Sequence, residues 1–305
     1  MQRIQRILLA IQPAQPGVVA LRASLLGPAL DIDAFDVLAV KRASTGMFGA
    51  TTACSHVQVE GGALRALVDG RAQELGALDV PGALDRLWSV QRGSPAEVVA
   101  RTAALIGADL TLAAAGGAPL ARWLRPSANA DLVRLCQGAV LLVHAEPRQE
   151  YRSVVVATDF SRASMGAARV AAQLAPSARF VFVHACQLPE EVLMREAELP
   201  ARLIRSHRGN RAAQAHQRLD AFIELFLHAL PPGAREVQIG EPGQVVKDCA
   251  RRHGADLVVV GRGASHPGAR LSCSNVMQRL ADEAGCDLLV GPGPDGQDSG
   301  QRLAA

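Results

Sequence analysis

The sequence predicts an α/β protein built from two tandem five-stranded parallel sheets, each flanked by helices. The first observation is an internal repeat, because Gly93–Val99 returns 147 residues later as Gly240–Val246, and Gly107–Leu112 returns at the same offset as Gly254–Val259. The second is the alternation of short apolar runs with amphipathic stretches, which is typical of βαβ units. The third is composition: hydrophobic residues make up 49% of the chain and aromatic residues only 3%. Such aliphatic cores favour parallel sheets covered by helices.

The repeat divides the 305-residue chain into two domains of ordinary size. We expect a first domain over residues 1–146 and a second over residues 150–292. The linker between them, His144–Tyr151, is short and polar. Residues 293–305 are rich in Gly, Pro, Asp and Gln, so we expect a disordered tail.

Each element follows from a local pattern. Buried strands are predicted from short runs rich in aliphatic residues, and helices from apolar residues recurring every three or four positions. In the first half the predicted strands are 6–11, 35–40, 86–90, 110–114 and 139–143, and the predicted helices are 18–26, 63–75, 94–107 and 129–136. In the second half the strands are 153–157, 179–184, 235–239, 257–260 and 288–290, and the helices are 163–174, 205–229, 244–253 and 275–283.

Composition argues against several classes of protein. The net charge of +3 gives no broad basic surface for nucleic acid or membrane. No apolar run approaches the roughly 20 residues that span a bilayer. The N-terminus lacks the apolar core of a signal peptide, and the six cysteines contain no C-x-x-C pair or zinc-type spacing. We therefore expect a soluble cytoplasmic protein with no nucleic-acid or membrane partner and no tightly bound metal.

The predicted topology also indicates where a ligand would bind. Right-handed crossovers place helices on both faces of each sheet. Ligands in such sheets bind beyond the carboxyl ends of the strands, at the point where the strand order reverses. The segments of interest are therefore those that follow the first and fourth strands of each half.

Several segments together resemble the universal stress protein family. They are Val154-Val-Val-Ala-Thr-Asp-Phe-Ser, Val181-Phe-Val-His, Gly240-Glu-Pro-Gly-Gln-Val-Val, Ala255-Asp-Leu-Val-Val-Val-Gly-Arg-Gly and Cys286-Asp-Leu-Leu-Val. The resemblance covers about 290 residues as two tandem copies. It implies the universal stress protein fold, also called adenine nucleotide alpha hydrolase-like. In single-copy relatives the last strands of two chains pair, so it also implies an intramolecular pseudo-dimer with Ala139–Val143 beside Leu288–Val290.

Family members that bind nucleotides resemble one another in an Asp after the first strand and in G-x2-G-x9-G-[ST] after the fourth. The second half keeps part of this pattern, with Asp159 and Gly261 in place. Ala264 and Ser274 stand at the second and third glycine positions, and Asn275 stands at the closing Ser/Thr position. Arg262 could clamp a phosphate with two hydrogen bonds. The ligand-binding residues that the resemblance implies are Thr158, Asp159, Val183, Gly261, Arg262, Gly263, Ser274 and Asn275.

Two interpretations of this loop stay open. In one, the second domain still binds ATP, another nucleotide or a different phosphate-bearing ligand. In the other, the loop is a remnant in which Ser274 and Asn275 only cap a helix. The first half departs further from the pattern, since Gln12 replaces the Asp and either Pro126 or Ser127 stands at the third glycine position.

The resemblance implies a non-enzymatic stress-response protein whose second domain binds a small phosphate-bearing ligand. One alternative is a ligand-free adaptor that acts through contacts with an unidentified protein partner, and another is a slow ATPase. No catalytic residue is predicted, because Asp159 has no sequence neighbour suited to acid–base work. Cys273, in the loop itself, is interpreted as a passive thiol, with redox sensing as the alternative. Further dimerisation of the pseudo-dimer also stays open.

Overall fold

One eleven-stranded sheet runs through both halves of the chain. The computed structural model describes residues 3–11, 17–46, 49–61, 64, 89–115, 126–144, 146–224, 233–262 and 286–293. The strands of the first half are β1 (Ile7–Ile11), β2 (Ala34–Gly46), β3 (Gly49–Glu60), β4 (Ser89–Arg92), β5 (Leu110–Ala114) and β6 (Ala139–Val143). Those of the second half are β7 (Ser153–Ala157), β8 (Arg179–Cys186), β9 (Ala234–Ile239), β10 (Leu257–Val260) and β11 (Asp287–Val290). Their order in the sheet is β4-β3-β2-β1-β5-β6-β11-β10-β7-β8-β9.

Helices cover both faces of this sheet. They are α1 (Gly17–Leu30), α2 (Pro95–Ile106), α3 (Pro126–Leu135), α4 (Arg162–Leu174), α5 (Glu190–Glu196), α6 (Ala201–Glu224) and α7 (Pro242–His253). Apolar side chains of α1, α4 and α6 belong to the core on one face, and those of α2, α3 and α7 to the core on the other. None of the described helices is long and apolar enough to cross a membrane.

The second half has the architecture that the sequence predicts. Its five strands lie in the order β11-β10-β7-β8-β9, and every pair within it is parallel. The burial of β7, β10 and β11 is nearly complete, as expected for strands covered on both faces. Each predicted strand of this half overlaps an observed one, because the apolar runs are long enough and bounded by turn residues.

The first half departs from the expected five parallel strands. The described residues of this half form six strands, and β3 pairs antiparallel with both β2 and β4. No strand was predicted over β3, although Thr51, Thr52, Val57 and Val59 are strong strand formers. The repeat offset maps β3 onto the end of α5 and the start of α6, so the two halves differ in structure here. The predicted helix over 63–75 lies almost entirely outside the described residues, as does the predicted disordered tail beyond residue 293.

The two halves meet through their last strands, as predicted. β6 and β11 pair antiparallel, with Val140 opposite Val290, Leu141 opposite Leu289 and Leu142 opposite Leu288. All of these side chains are at most 1% exposed. The pairing gives each edge strand a partner, so neither is left as an open template for aggregation.

A buried charged group reinforces this junction. The carboxylate of Asp287, the first residue of β11, accepts hydrogen bonds from Arg22 Nε at 2.9 Å, Tyr151 Oη at 2.6 Å and the amide of His144 at 2.9 Å. The side chains of Arg22 and Asp287 are only 6% and 3% exposed. The Arg22 guanidinium also lies 4.0 Å from the Tyr151 ring centroid. This network joins α1 of the first half, the linker and β11 of the second.

We expect Arg22→Ala to lower the free energy of unfolding by about 3–5 kcal/mol, because it leaves the Asp287 carboxylate buried without its counter-charge. Urea unfolding followed by circular dichroism measures the change. The matched control is Arg3→Ala, since the Arg3–Asp31 pair is 62% and 81% exposed, and its loss should cost less than about 1 kcal/mol. Equal losses in the two variants would show that the buried network stabilises the protein no more than an exposed ion pair does.

Candidate functional site

The candidate site lies at the carboxyl ends of β7 and β10, where the strand order of the second half reverses. From β7 the chain moves outward to β8 and β9, and it then crosses back to β10 on the other side. Asp159 follows β7 by two residues, and Gly261 follows β10 directly. Helix α4 begins in the same region, so its N-terminus, with the partial positive charge of exposed amides, faces this edge.

The turn from β7 to α4 fixes the position of Asp159. The Thr158 hydroxyl is buried and accepts a hydrogen bond from the amide of Phe160 at 2.9 Å. Phe160 has a φ of +64°, a left-handed conformation that side chains seldom adopt. Asp159 Oδ1 accepts from the amide of Ser161 at 3.0 Å, and Ser161 caps α4 by accepting from the amide of Ser164. Asp159 is exposed, so its other carboxylate oxygen, Oδ2, is available to a ligand.

Gly261 is required by close packing. A Cβ atom at this position would lie 2.4 Å from the amide nitrogen of Ser164 and 2.7 Å from its Cα. The carboxyl end of β10 therefore presses against the first turn of α4, and only a glycine fits there. This contact gives Gly261 a structural role whether or not a phosphate binds nearby.

Phe160, the residue after Asp159, contacts two other side chains. Its ring centroid lies 4.3 Å from that of the His184 imidazole and 4.6 Å from the guanidinium carbon of Arg218. Nδ1 of His184 lies 2.8 Å from the carbonyl oxygen of Thr158, which can only accept, so Nδ1 carries the hydrogen. Burial lowers the pKa of His184 from its ordinary value of 6.5, more than this hydrogen bond raises it.

Arg262, predicted to clamp a phosphate, contacts the first half instead. Its guanidinium donates to the carbonyl oxygen of Cys136 and, at 3.0 Å, to that of Gly138. Burial lowers the pKa of Arg262. With these donors directed at backbone carbonyls, the side chain acts at the junction of the two halves rather than in an open loop.

The remaining predicted residues divide into two groups. The side chain of Val183 is buried in the core, and its carbonyl oxygen accepts from the amide of Thr158 at 2.9 Å, so Val183 positions the turn. Gly263, Ser274 and Asn275, together with Cys273 and Gln12, lie outside the described residues. Phe160, His184 and Arg218 were not predicted as site residues, although Phe160 and His184 lie in the segments that resemble the universal stress protein family.

The comparisons with known proteins agree with this geometry. Residues 150–292 match the model of the universal stress protein family. This match lies within the second half of the chain. The matched residues include the β7–α4 turn, all five strands of the second half and the segment after β10. No curated protein sequence matches the chain significantly.

Solved structures extend the likeness to both halves. Over 96% of its length the chain is similar to a functionally unknown protein from Pseudomonas aeruginosa PAO1, with 17% identity, 94% of that chain covered and a TM-score of 0.61. It is also similar to a universal stress protein from Archaeoglobus fulgidus, with 13% identity, 96% of this chain and 98% of that chain covered, and a TM-score of 0.58. At these identities the likeness shows the fold alone.

We expect Gly261→Ala to destabilise the protein by about 1–3 kcal/mol, because the added methyl group overlaps the backbone of α4. Gly209→Ala is the matched control. Gly209 lies within α6 with nothing near its Cβ position, so alanine there should stabilise by about 0.5–1 kcal/mol. Thermal unfolding of the two variants measures both effects, and a tolerated Gly261→Ala would disprove the close contact.

The lowered pKa of His184 should make the stability of the protein depend on pH. The folded protein disfavours the imidazolium, so the unfolded chain binds the extra proton and the free energy of unfolding falls as pH drops below 6.5. The loss continues until the pH passes the lowered pKa of the folded state. Urea unfolding of the wild type and His184→Gln across this range should show a shallower slope for the variant. A steeper or unchanged slope would contradict the burial of the ring.

Proposed function

We propose that the second domain, residues 150–292, binds a nucleotide or another phosphate-bearing ligand and that the protein acts in a stress response without catalysing a reaction. In this proposal residues 1–146 form a partner domain that has lost the ligand-binding pattern. The observation that carries the proposal is the exposed carboxylate of Asp159, which accepts from the amide of Ser161 at the point of strand reversal, within the residues that match the universal stress protein family.

The chemistry of this edge suits such a ligand. The Asp159 carboxylate can accept hydrogen bonds from nucleoside hydroxyl or amino groups, or help to hold a divalent cation on the phosphates. The N-terminus of α4 favours anions, and Arg162 stands in its first turn. Gly263, Ser274 and Asn275 remain the proposed contacts from the segment after β10. Arg262 is assigned to the junction instead.

Asp159→Asn should weaken ATP or AMP binding at least about tenfold, which is about 1.4 kcal/mol, because the amide loses the charge and one acceptor. Isothermal titration with ATP, AMP and cyclic nucleotides, with and without magnesium, measures it. Asp131→Asn, an exposed carboxylate of the first half, is the matched control and should bind like the wild type. No heat for the wild type at millimolar ligand would refute the proposal.

A second candidate function is a protein adaptor. Four exposed apolar side chains lie on α5, in the connection after it and at the start of α6: Val192 is 60%, Leu193 66%, Leu199 38% and Leu203 47% exposed. They are the proposed contact surface of the adaptor, because exposed apolar patches on monomers often mark protein contacts. An adaptor would retain its pull-down partners in Asp159→Asn and lose them in Leu193→Ser. A nucleotide-dependent function would instead be lost in Asp159→Asn and kept in Leu193→Ser.

The slow ATPase alternative is tested in the same preparations. Phosphate release that is unchanged in Asp159→Asn would come from a contaminant rather than from this site. Release that falls in Asp159→Asn but not in Asp131→Asn would make the protein an enzyme and overturn the non-enzymatic part of the proposal.

A further inference from the structure

Three side chains with metal-binding atoms converge beside the outermost strand of the second half. Cys249 and His253 stand four residues apart on α7, so they share one face of the helix. Glu236 stands on β9. The sulfur, an imidazole nitrogen and a carboxylate oxygen of the three residues all lie within 4.8 Å of one another. The site lies by α7, away from α4 and α6, which flank Asp159.

The two oxygens of Glu236 have different surroundings. Oε1 contacts Nε2 of His253. Oε2 accepts from Gln238 Nε2 at 2.7 Å and from the guanidinium of Arg252. One oxygen is thus directed into the cluster while the other is held by two donors. Metal-binding carboxylates are oriented by outer hydrogen bonds of this kind.

The cluster is buried on one side and partly exposed to solvent on the other, which we call its rim. Cys249 is fully buried, while the side chains of Glu236 and His253 are 21% and 20% exposed. Burial and the neighbouring Glu236 raise the pKa of Cys249 to about 12. Without a metal the thiol is therefore protonated and a poor nucleophile. The exposed rim gives an ion access from solvent.

We propose that Glu236, Cys249 and His253 bind one zinc ion. A thiolate, an imidazole nitrogen and a carboxylate oxygen are ligands that Zn²⁺ accepts, and a water molecule completes its tetrahedron. Cys249 releases its thiol proton to solvent on binding, and the proton on Nε2 of His253 moves to Nδ1 or to solvent. The charges of Glu236 and Cys249 then balance the ion, and Arg252 stays on the outer oxygen of Glu236.

The internal repeat shows that the fold itself does not need this cluster. The residues 147 positions earlier are Ser89, Thr102 and Ile106, which lack the thiolate, imidazole and carboxylate. The cluster therefore belongs to the second half alone. Sequence spacing led to the expectation of no metal because Glu236 stands on another element, 13 residues before Cys249, and no C-x-x-C pair marks the site.

Cobalt and zinc titrations of the full chain, freed of metal by a chelator, test the proposal. Cobalt should bind at one equivalent and give a thiolate-to-cobalt charge-transfer band, and zinc should displace it. Cys249→Ser should remove the band and weaken zinc binding at least about 100-fold, as measured by competition with a chromophoric chelator. Cys186→Ser, another buried cysteine, is the matched control and should keep both.

His253→Gln provides a second variant on the rim, in case Cys249→Ser fails to fold; it should weaken zinc binding while circular dichroism stays unchanged. The proposal is overturned if the wild type takes up no cobalt at micromolar concentration. It is also overturned if Cys249→Ser or His253→Gln binds as tightly as the Cys186→Ser control, since the metal would then sit elsewhere. No nucleotide enters these assays, so their result is independent of the proposed function.

Discussion

The antiparallel pairing of β6 with β11 is the contact on which the rest of the structure depends. It turns two sheets into one and buries two edge strands whose side chains are entirely aliphatic at the junction. Separation of the halves would expose these strands and also the Asp287 carboxylate. A buried carboxylate with three donors tolerates few alternative arrangements, because each displaced donor leaves a charge without a partner. The junction thus combines a buried apolar strand pair with a buried charged network that joins the two halves.

The same junction reaches the candidate site. Arg262 follows β10 by two residues, yet its guanidinium is bonded to carbonyl oxygens at the end of α3 and before β6. The segment that leads into the proposed ligand loop is thus anchored on the first half. The first domain therefore has a physical role even without a ligand of its own, since its backbone helps to position the edge at which Asp159 lies.

The sequence predicted strands correctly where a segment's own residues were enough to identify it. The strands of the second half followed from apolar runs, whereas the β6–β11 pairing followed from the resemblance to the universal stress protein family. The β2–β3 hairpin was not predicted, although the residues of β3 themselves favour a strand. Long-range side-chain contacts could not be predicted from the sequence. The motif predicted that Arg262 binds phosphate, and the spacing of Glu236, Cys249 and His253 did not indicate that they lie close together.

The site shows why a partial motif is ambiguous. Gly261 fits the first glycine of the nucleotide-binding pattern, but the backbone of Ser164 excludes any side chain there, so this glycine would be needed in a protein that binds nothing. Thr158 and Val183 likewise serve the turn. Asp159 differs, because its single backbone hydrogen bond orients the carboxylate while leaving it exposed. Among the described residues of the motif, Asp159 is therefore the one whose chemistry packing does not explain.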